Sequence, residues 1–265
     1  MDCKAALTEA NGDMAKAEES LRKKGLAKAA SKVNRTAAQG CVDAFISKDG
    51  KVGVLVEVNC ETDFVAKNIE FQAFVKDVAL QIGSSDLKDD DVETLMAMPF
   101  VNNKSKTIKD LLSDLTIKIG ENMLVRRFTR YTTTNTIESY IHLGGKIGVL
   151  VELKASGVEG NQLSVLAKDV AMQICAMNPQ YLHQDHVPAD VIAHEKEIIS
   201  AQIKGEGKPE AAIPKIVEGR IRKFYEETCL LNQAFIKDQK KTIKDCLGTN
   251  VEIVRFNRFQ LGEKS

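Results

Sequence analysis

The chain of 265 residues contains no tryptophan, and its aromatic set is ten phenylalanines and four tyrosines. So few ring faces argue against a protein that holds nucleic acid by stacking bases. It also lacks net charge, with 37 lysines and arginines against 37 aspartates and glutamates. General affinity for a phosphate backbone needs surplus cations that release counterions, so direct nucleic-acid binding is not expected. The balance is not uniform, since residues 1–38 hold eight basic and five acidic side chains and leave 29 against 32 in the rest, and the mildly positive end suits a solvated helix face. The six cysteines include no Cys-x-x-Cys pair. No disulfide or zinc framework is legible, and a reducing, cytoplasmic setting is expected. No apolar run approaches the ~20 residues of a membrane helix, and the opening MDCKAALTEANGD lacks the apolar segment of a secretory signal.

Catalytic signatures are missing as well. There is no G-x-x-x-x-G-K-[ST] loop, since Gly205-Glu206-Gly207-Lys208-Pro209 has neither the spacing nor the following hydroxyl. No G-x-G-x-x-G follows a strand, because the glycines at 144, 145 and 148 precede one. His183-Gln184-Asp185-His186 is the one histidine cluster, and without a further ligand beside it a polar loop ahead of Pro188 is the better reading than a metal site. No Ser-His-Asp or Cys-His arrangement is supported. The expectation is a protein without enzymatic activity, cofactor or metal.

What the chain does contain is a repeat. GKVGVLVEV at 50–58 returns as GKIGVLVEL at 145–153, and VKDVALQI at 75–82 returns as AKDVAMQI at 167–174. KTIKDLL at 106–112 is echoed by KTIKDCL at 241–247, and GENMLVRRFTR from Gly120 by GTNVEIVRFNR from Gly248. Four matches in one order mean a duplicated subdomain and not a solenoid.

Each copy reads as mixed α and β. The β-branched GKVGVLVEV and GKIGVLVEL runs predict strands. Residues 41–47 and 136–142 predict their hairpin partners, with turns at 48–50 and 144–145. Phe71, Phe74, Val75, Val78 and Ile82 share one helical face, as do Leu163, Leu166, Ala167, Val170 and Ile174. A second helix around 107–118 and a closing strand around 123–132 complete the unit. The fold class is therefore α+β, with two subdomains that each cover a small antiparallel sheet with helices.

The copies differ at two places. Between the helix and KTIKD blocks the first copy has 23 residues (83–105) and the second 66 (175–240). The additional length carries apolar stripes over 189–204 and 210–227, which predict an antiparallel helical hairpin. Val191, Ile192, Ile198, Ile199 and Ile203 stripe the first helix, and Ile213, Val217, Ile221 and Phe224 the second. Pro214 should break or restart the latter. Such a hairpin suits either a structural arm or a partner-contact arm. The second difference lies between strand and helix, with 16 residues (59–74) in the first copy and 13 (154–166) in the second. There Asn59-Cys60-Glu61-Thr62-Asp63-Phe64-Val65-Ala66-Lys67 faces a bland Lys-Ala-Ser-Gly stretch. Two readings of it stand: Thr62 or Asp63 caps the helix while Phe64 staples its start, or the segment binds something.

Before the repeats, Asp2–Ala10 and Asp13–Lys24 predict two short helices, with Gly25 as the stop of the second and a linker over 27–39. Two helices of that size bury little and need a further helix or a partner. The expected organisation is a partial N-terminal helical domain and linker (1–38), a first core subdomain (39–135) and a second (136–265) carrying the hairpin at 188–228.

The residues MDCKAALTEANGD, RKKGLAKAA, VEVNCETDFVAKN, KIGENMLVRRF, SYIHLGGKIGVLVE and VEGRIRKFYEE together resemble the bacterial elongation factor Ts family, over essentially the whole chain. NCETDFVAKN is the most diagnostic element. The resemblance implies a guanine-nucleotide exchange factor whose partner is elongation factor Tu. It implies a ubiquitin-associated-like N-terminal domain, a duplicated core and a coiled-coil hairpin in the second half. It also implies that Thr62, Asp63, Phe64 and Val65 disturb the partner's magnesium site. Phe64 would insert between helices of the partner's nucleotide-binding domain, and Asp63 would engage the region beside it. His142 matches a partner-contacting histidine of that family, although a histidine beside a glycine turn also suits a purely structural role. The family has a further helix ahead of the position of Met1, so the N-terminal domain is expected to be incomplete. A module that sequesters the partner without exchanging its nucleotide is the competing expectation, and turnover kinetics separate the two.

Overall fold

In the computed structural model, residues 2–32, 34–158, 160–206 and 209–263 are described. The chain packs as two units, Met1–Thr132 with Ile141–Gly148 and Phe259–Ser265, and Thr133–Tyr140 with Val149–Arg258.

The first unit begins with α1 (Asp2–Glu9) and α2 (Met14–Ala30). Their contact is built on small residues, with Ala6 and Ala17 buried. Gly25 does not end α2, contrary to the sequence expectation; the helix continues five residues beyond it. The reason is a close approach: a β-carbon at Gly25 would lie 3.0 Å from Ile117 Cδ1. Glycine is used there for its lack of a side chain and not for helix termination. The helix carrying Ile117 is thus the additional helix that the N-terminal pair requires.

The strands follow the sequence pattern closely. β1 (Gln39–Ile46) and β2 (Val52–Cys60) form an antiparallel hairpin whose turn uses Gly50 at φ 69°. A one-turn helix α3 (Asp63–Ala66) and a longer helix α4 (Ile69–Gly83) come next. Phe71, Phe74, Val75, Val78 and Ile82 of α4 are buried against Val54, Val56 and Val58 of β2, as their spacing requires. The segment 83–105, which carries little periodic signal, holds α5 (Val92–Ala97) and the short antiparallel pair β3 (Pro99–Phe100) and β4 (Asn103–Thr107). α6 (Ile108–Ile119) starts at a capping box between Thr107 and Asp110 and ends at Gly120 in the left-handed region. β5 (Met123–Thr132) then pairs antiparallel with β2, giving the order β1-β2-β5.

The same succession recurs later in the chain. β6 (Thr136–His142) and β7 (Ile147–Ala155) are neighbours joined by a four-residue turn, and β10 (Val251–Gln260) flanks β7 on its other side. α7 (Gly160–Met177) buries Leu163, Ala167, Val170 and Ile174, the counterparts of the α4 face. Ahead of β10 stand β8 (Ala234–Phe235), β9 (Asp238–Thr242) and α10 (Ile243–Leu247), again opened by a capping box, here Thr242 with Asp245. Between α7 and β8 lie α8 (Ala189–Gly205) and α9 (Ile213–Thr228). Pro214 acts as expected, because a 3₁₀ turn at Glu210–Ala212 precedes α9 and the proline occupies its first turn. Ile199, Ile203 and Ile221 make a small core of their own between α8 and α9, with Ile213, Ile216, Val217 and Tyr225 against it. Ile198, assigned to the same stripe from sequence, is instead exposed.

Candidate partner-binding site

The β2–β5 ladder ends where Cys60 faces Met123. Two further steps are made by side chains instead of backbone. The Glu61 carboxylate accepts from Asn122 N (2.6 Å). The Glu121 carboxylate accepts from both Thr62 N (3.0 Å) and Thr62 Oγ1 (2.7 Å). Arg35 is linked to both sides of this joint, through an ion contact with Glu61 (3.6 Å) and through its carbonyl, which accepts from Asn122 Nδ2 (2.8 Å). Cys60 Sγ donates to the Thr62 carbonyl (3.1 Å), and burial raises that thiol to about 12, so it stays protonated.

From this anchor the chain makes α3, a single turn. One turn is not stable by itself, and here it is held at its start by Thr62 Oγ1, which accepts from Val65 N (3.3 Å). Val65 is 8% exposed and belongs to the core of the unit, whereas Phe64, the residue before it, is 81% exposed. The sequence alternatives are thereby divided: Thr62 is the cap, but Phe64 staples nothing. Asp63 pairs with Lys67 (3.0 Å), and the hydrogen bond and charge of Lys67 hold its carboxyl below the ordinary range. Asn68 then caps α4 by accepting from Glu70 N (2.8 Å). The first residue of α4, Ile69, is also 81% exposed. Sequence patterning did not single out Ile69.

His142 ends β6. Its carbonyl accepts from Gly145 N (3.2 Å) and Lys146 N (3.1 Å), closing a turn in which Leu143, Gly144 and Gly145 all have positive φ. The Gly145 carbonyl accepts from Val42 N (2.7 Å) of β1, and a β-carbon at Gly145 would collide with Cys41 Sγ. α3 packs on the same strand, β1. Lys146 adds a smaller downward pull on Asp63, after that of Lys67. The Thr62–Val65 turn and the His142 turn are thus presented from one strand, with Phe64 and Leu143 exposed.

At the corresponding place in the second copy, β7 continues to Ala155 and Ser156 N donates to the Asn250 carbonyl (3.0 Å). Backbone makes the joint there, and among the described residues no additional turn of helix is formed. The residue corresponding to Glu121 is Thr249. The pairing of GENM with GTNV marks Glu121 only as one of several positions at which the copies differ, and no local pattern marks Glu61. Elsewhere, His183 caps the 3₁₀ turn Gln184–His186, accepting from Asp185 N (3.3 Å). Among the described residues no three His, Cys, Asp or Glu side chains are placed to hold a metal ion, and no helix is long and apolar enough to cross a membrane.

The family model described as Elongation factor TS matches residues 61–263. Elongation factor Ts of Clostridium kluyveri is 48% identical over 271 residues, covering 99% of this chain and 88% of its own. Elongation factor Ts of Clostridium novyi is 46% identical, with the same coverage. That of Aquifex aeolicus is 44% identical over 268 residues, covering 99% of this chain and 92% of its own. On this similarity, end to end, the chain belongs to the elongation factor Ts family of translation elongation factors.

Proposed function

We propose that this protein is a guanine-nucleotide exchange factor that binds elongation factor Tu in the cytoplasm, disturbs its magnesium and phosphate site, and releases GDP. The observation that carries the reading is Phe64, a large apolar side chain 81% exposed on a turn fixed by its neighbours. A monomeric surface gains nothing from such a residue, while an interface core does. Asp63 is presented beside it, paired with Lys67, and His142 belongs to the turn alongside. Val65 serves the contact indirectly, as the buried anchor of the turn.

Exchange is a coupling between two ligands of one partner: the factor must prefer the nucleotide-free form, and nucleotide must weaken the factor by the same ratio. A ~10⁴-fold shift takes ~5.5 kcal/mol of differential binding, while burying one phenylalanine supplies ~1.5–3 kcal/mol. Phe64 therefore needs support from a wider surface. In this reading 39–135 and 136–265 are two copies of one core module, 188–228 is a coiled-coil arm that adds contact area, and residues 1–38 dock on the partner's nucleotide domain. The protein performs no covalent chemistry and holds no cofactor.

The test is release of fluorescent GDP from elongation factor Tu with sub-stoichiometric protein. Multiple turnovers are expected from the natural sequence, and Phe64→Ala should slow release at least tenfold with an unchanged circular-dichroism spectrum. Stoichiometric capture without turnover would instead identify a sequestering module.

A further inference from the structure

The segment from Glu61 to Val65 is held by an acceptor that lies 59 residues away in the chain and occurs in only one copy of the repeat. The Glu121 carboxylate takes both hydrogen-bond donors of Thr62, backbone N at 3.0 Å and Oγ1 at 2.7 Å. Thr62 Oγ1 in turn is the acceptor that starts α3. A hydroxyl that donates to a carboxylate becomes a better acceptor, so the two bonds reinforce one another. Glu121 is itself fixed, because Gly120 ends α6 at φ 89° and the next residue, Asn122, is tied to Glu61 and Arg35. The result is a side-chain continuation of the β2–β5 ladder that orients a helix too short to orient itself. In the second copy Thr249 stands in place of Glu121, and among the described residues no such helix is present.

We propose that Glu121 is a positioning residue for nucleotide exchange: it touches no partner, and it acts by holding Thr62 so that Phe64 is aimed before binding. Preorganisation of this kind removes an ordering cost that the complex would otherwise bear. The inference rests on the role proposed for Phe64, and the experiment separates the two.

GDP release is measured for the full chain and for Glu121→Ala, Glu121→Gln, Phe64→Ala and the Glu121→Ala/Phe64→Ala pair, with thermal unfolding of each. Loss of charged hydrogen bonds predicts that Glu121→Ala lowers kcat/KM for exchange about tenfold. Glu121→Gln keeps the shape and one acceptor oxygen and recovers part of that loss. In the Phe64→Ala background, Glu121→Ala has little further effect, since the residue it positions is gone. Equal effects of Glu121→Ala in both backgrounds, or no effect in the natural one, overturn the positioning role. If Glu121→Ala does not fold, Glu121→Gln alone and combined with Phe64→Ala decides on the same criterion. Phe64→Ala without effect overturns the function proposed for Phe64, and with it this inference; a slowed Phe64→Ala beside an unaltered Glu121→Ala overturns the inference alone.

Discussion

At the scale of single residues, neighbours in the Thr62–Val65 segment have opposite tasks. Val65 is buried and ties the turn to the core, while Phe64 projects from it. Their types alone could not tell which did which, since both are apolar and a one-turn helix has no periodic stripe to read. The content of the segment was nonetheless legible as an anomaly, because one copy of a repeat carried it and the other did not. Asp63 provides a prediction at this scale. Lys67 holds its carboxyl below the ordinary value. A depressed pKa means that the favourable pairing is fully present above the unfolded value and is lost as pH falls through the lower folded one. Asp63 is therefore anionic at neutral pH and remains so below the ordinary aspartate pKa of ~3.9. Lys67→Met should move its titration upward towards that value, as followed by carbon-13 NMR of the carboxyl. An unmoved midpoint would mean that Lys67 is not the cause.

At the scale of elements, what the sequence patterning fails to locate is what depends on distant contact. β5 begins and ends where the closing strand was expected, and β6 matches its expected range residue for residue. Gly25 reads as a stop because a glycine late in a helix looks the same whether it ends the helix or makes room for another. Only the approach of Ile117 distinguishes these. α3 escaped notice for a related reason: it is shorter than one heptad and exists through its cap and its carboxylate clamp. The two capping boxes are the clearest local signals and lend themselves to test. Thr107→Ala and Thr242→Ala each remove an acceptor from the first turn of a helix, for a cost of about 1 kcal/mol. Urea denaturation should show shifted midpoints with unchanged slopes. A larger loss at Thr107 is expected, as α6 has twelve residues and α10 five, and more packing hangs on the former.

At the scale of the whole molecule, the repeat is visible in its buried charge as well as in its strands. Glu57 at the middle of β2 is fully buried and receives Arg127 Nε (2.8 Å), Asn59 Nδ2 (3.1 Å) and Gly262 N (3.0 Å). Glu152 of β7 is likewise buried and receives Arg255 Nε (2.7 Å) and Asn135 Nδ2 (2.8 Å). Burial alone would raise the Glu152 pKa, but bonds from Thr133, Asn135 and Arg255 outweigh it and hold the carboxyl below its ordinary value. Arg127 also stacks over Phe259 at 4.3 Å and donates to the Gln260 carbonyl at 3.3 Å. Residues 259–263, which belong to the first unit, are thus fastened within it by Arg127, by the Glu57 carboxylate and by the Lys146 carbonyl, which accepts from Leu261 N (2.9 Å). Removing Arg127 takes the nearer cation from a buried carboxylate and leaves only the longer contact with Arg126 Nε at 4.0 Å, for a cost towards the lower end of the about 3–5 kcal/mol of breaking a buried pair. Arg127→Met should destabilise by about that amount in urea. Arg255→Met should cost less, because the Arg255 side chain is 43% exposed against 17% for Arg127 and water can replace it. Equal losses would show that solvent access is not what grades the two pairs.

The sequence by itself determined the α+β class, the repeat, the long strands of the two three-stranded sheets and the apolar faces of α4 and α7. These follow from composition and from periods of two and 3.6, which are local properties of the chain. Tertiary structure alone decided that Phe64 is outside and Val65 inside, that Gly25 accommodates Ile117, and that Glu121 holds Thr62. Each depends on residues tens of positions apart meeting at a few ångströms, and no local pattern encodes such a distance.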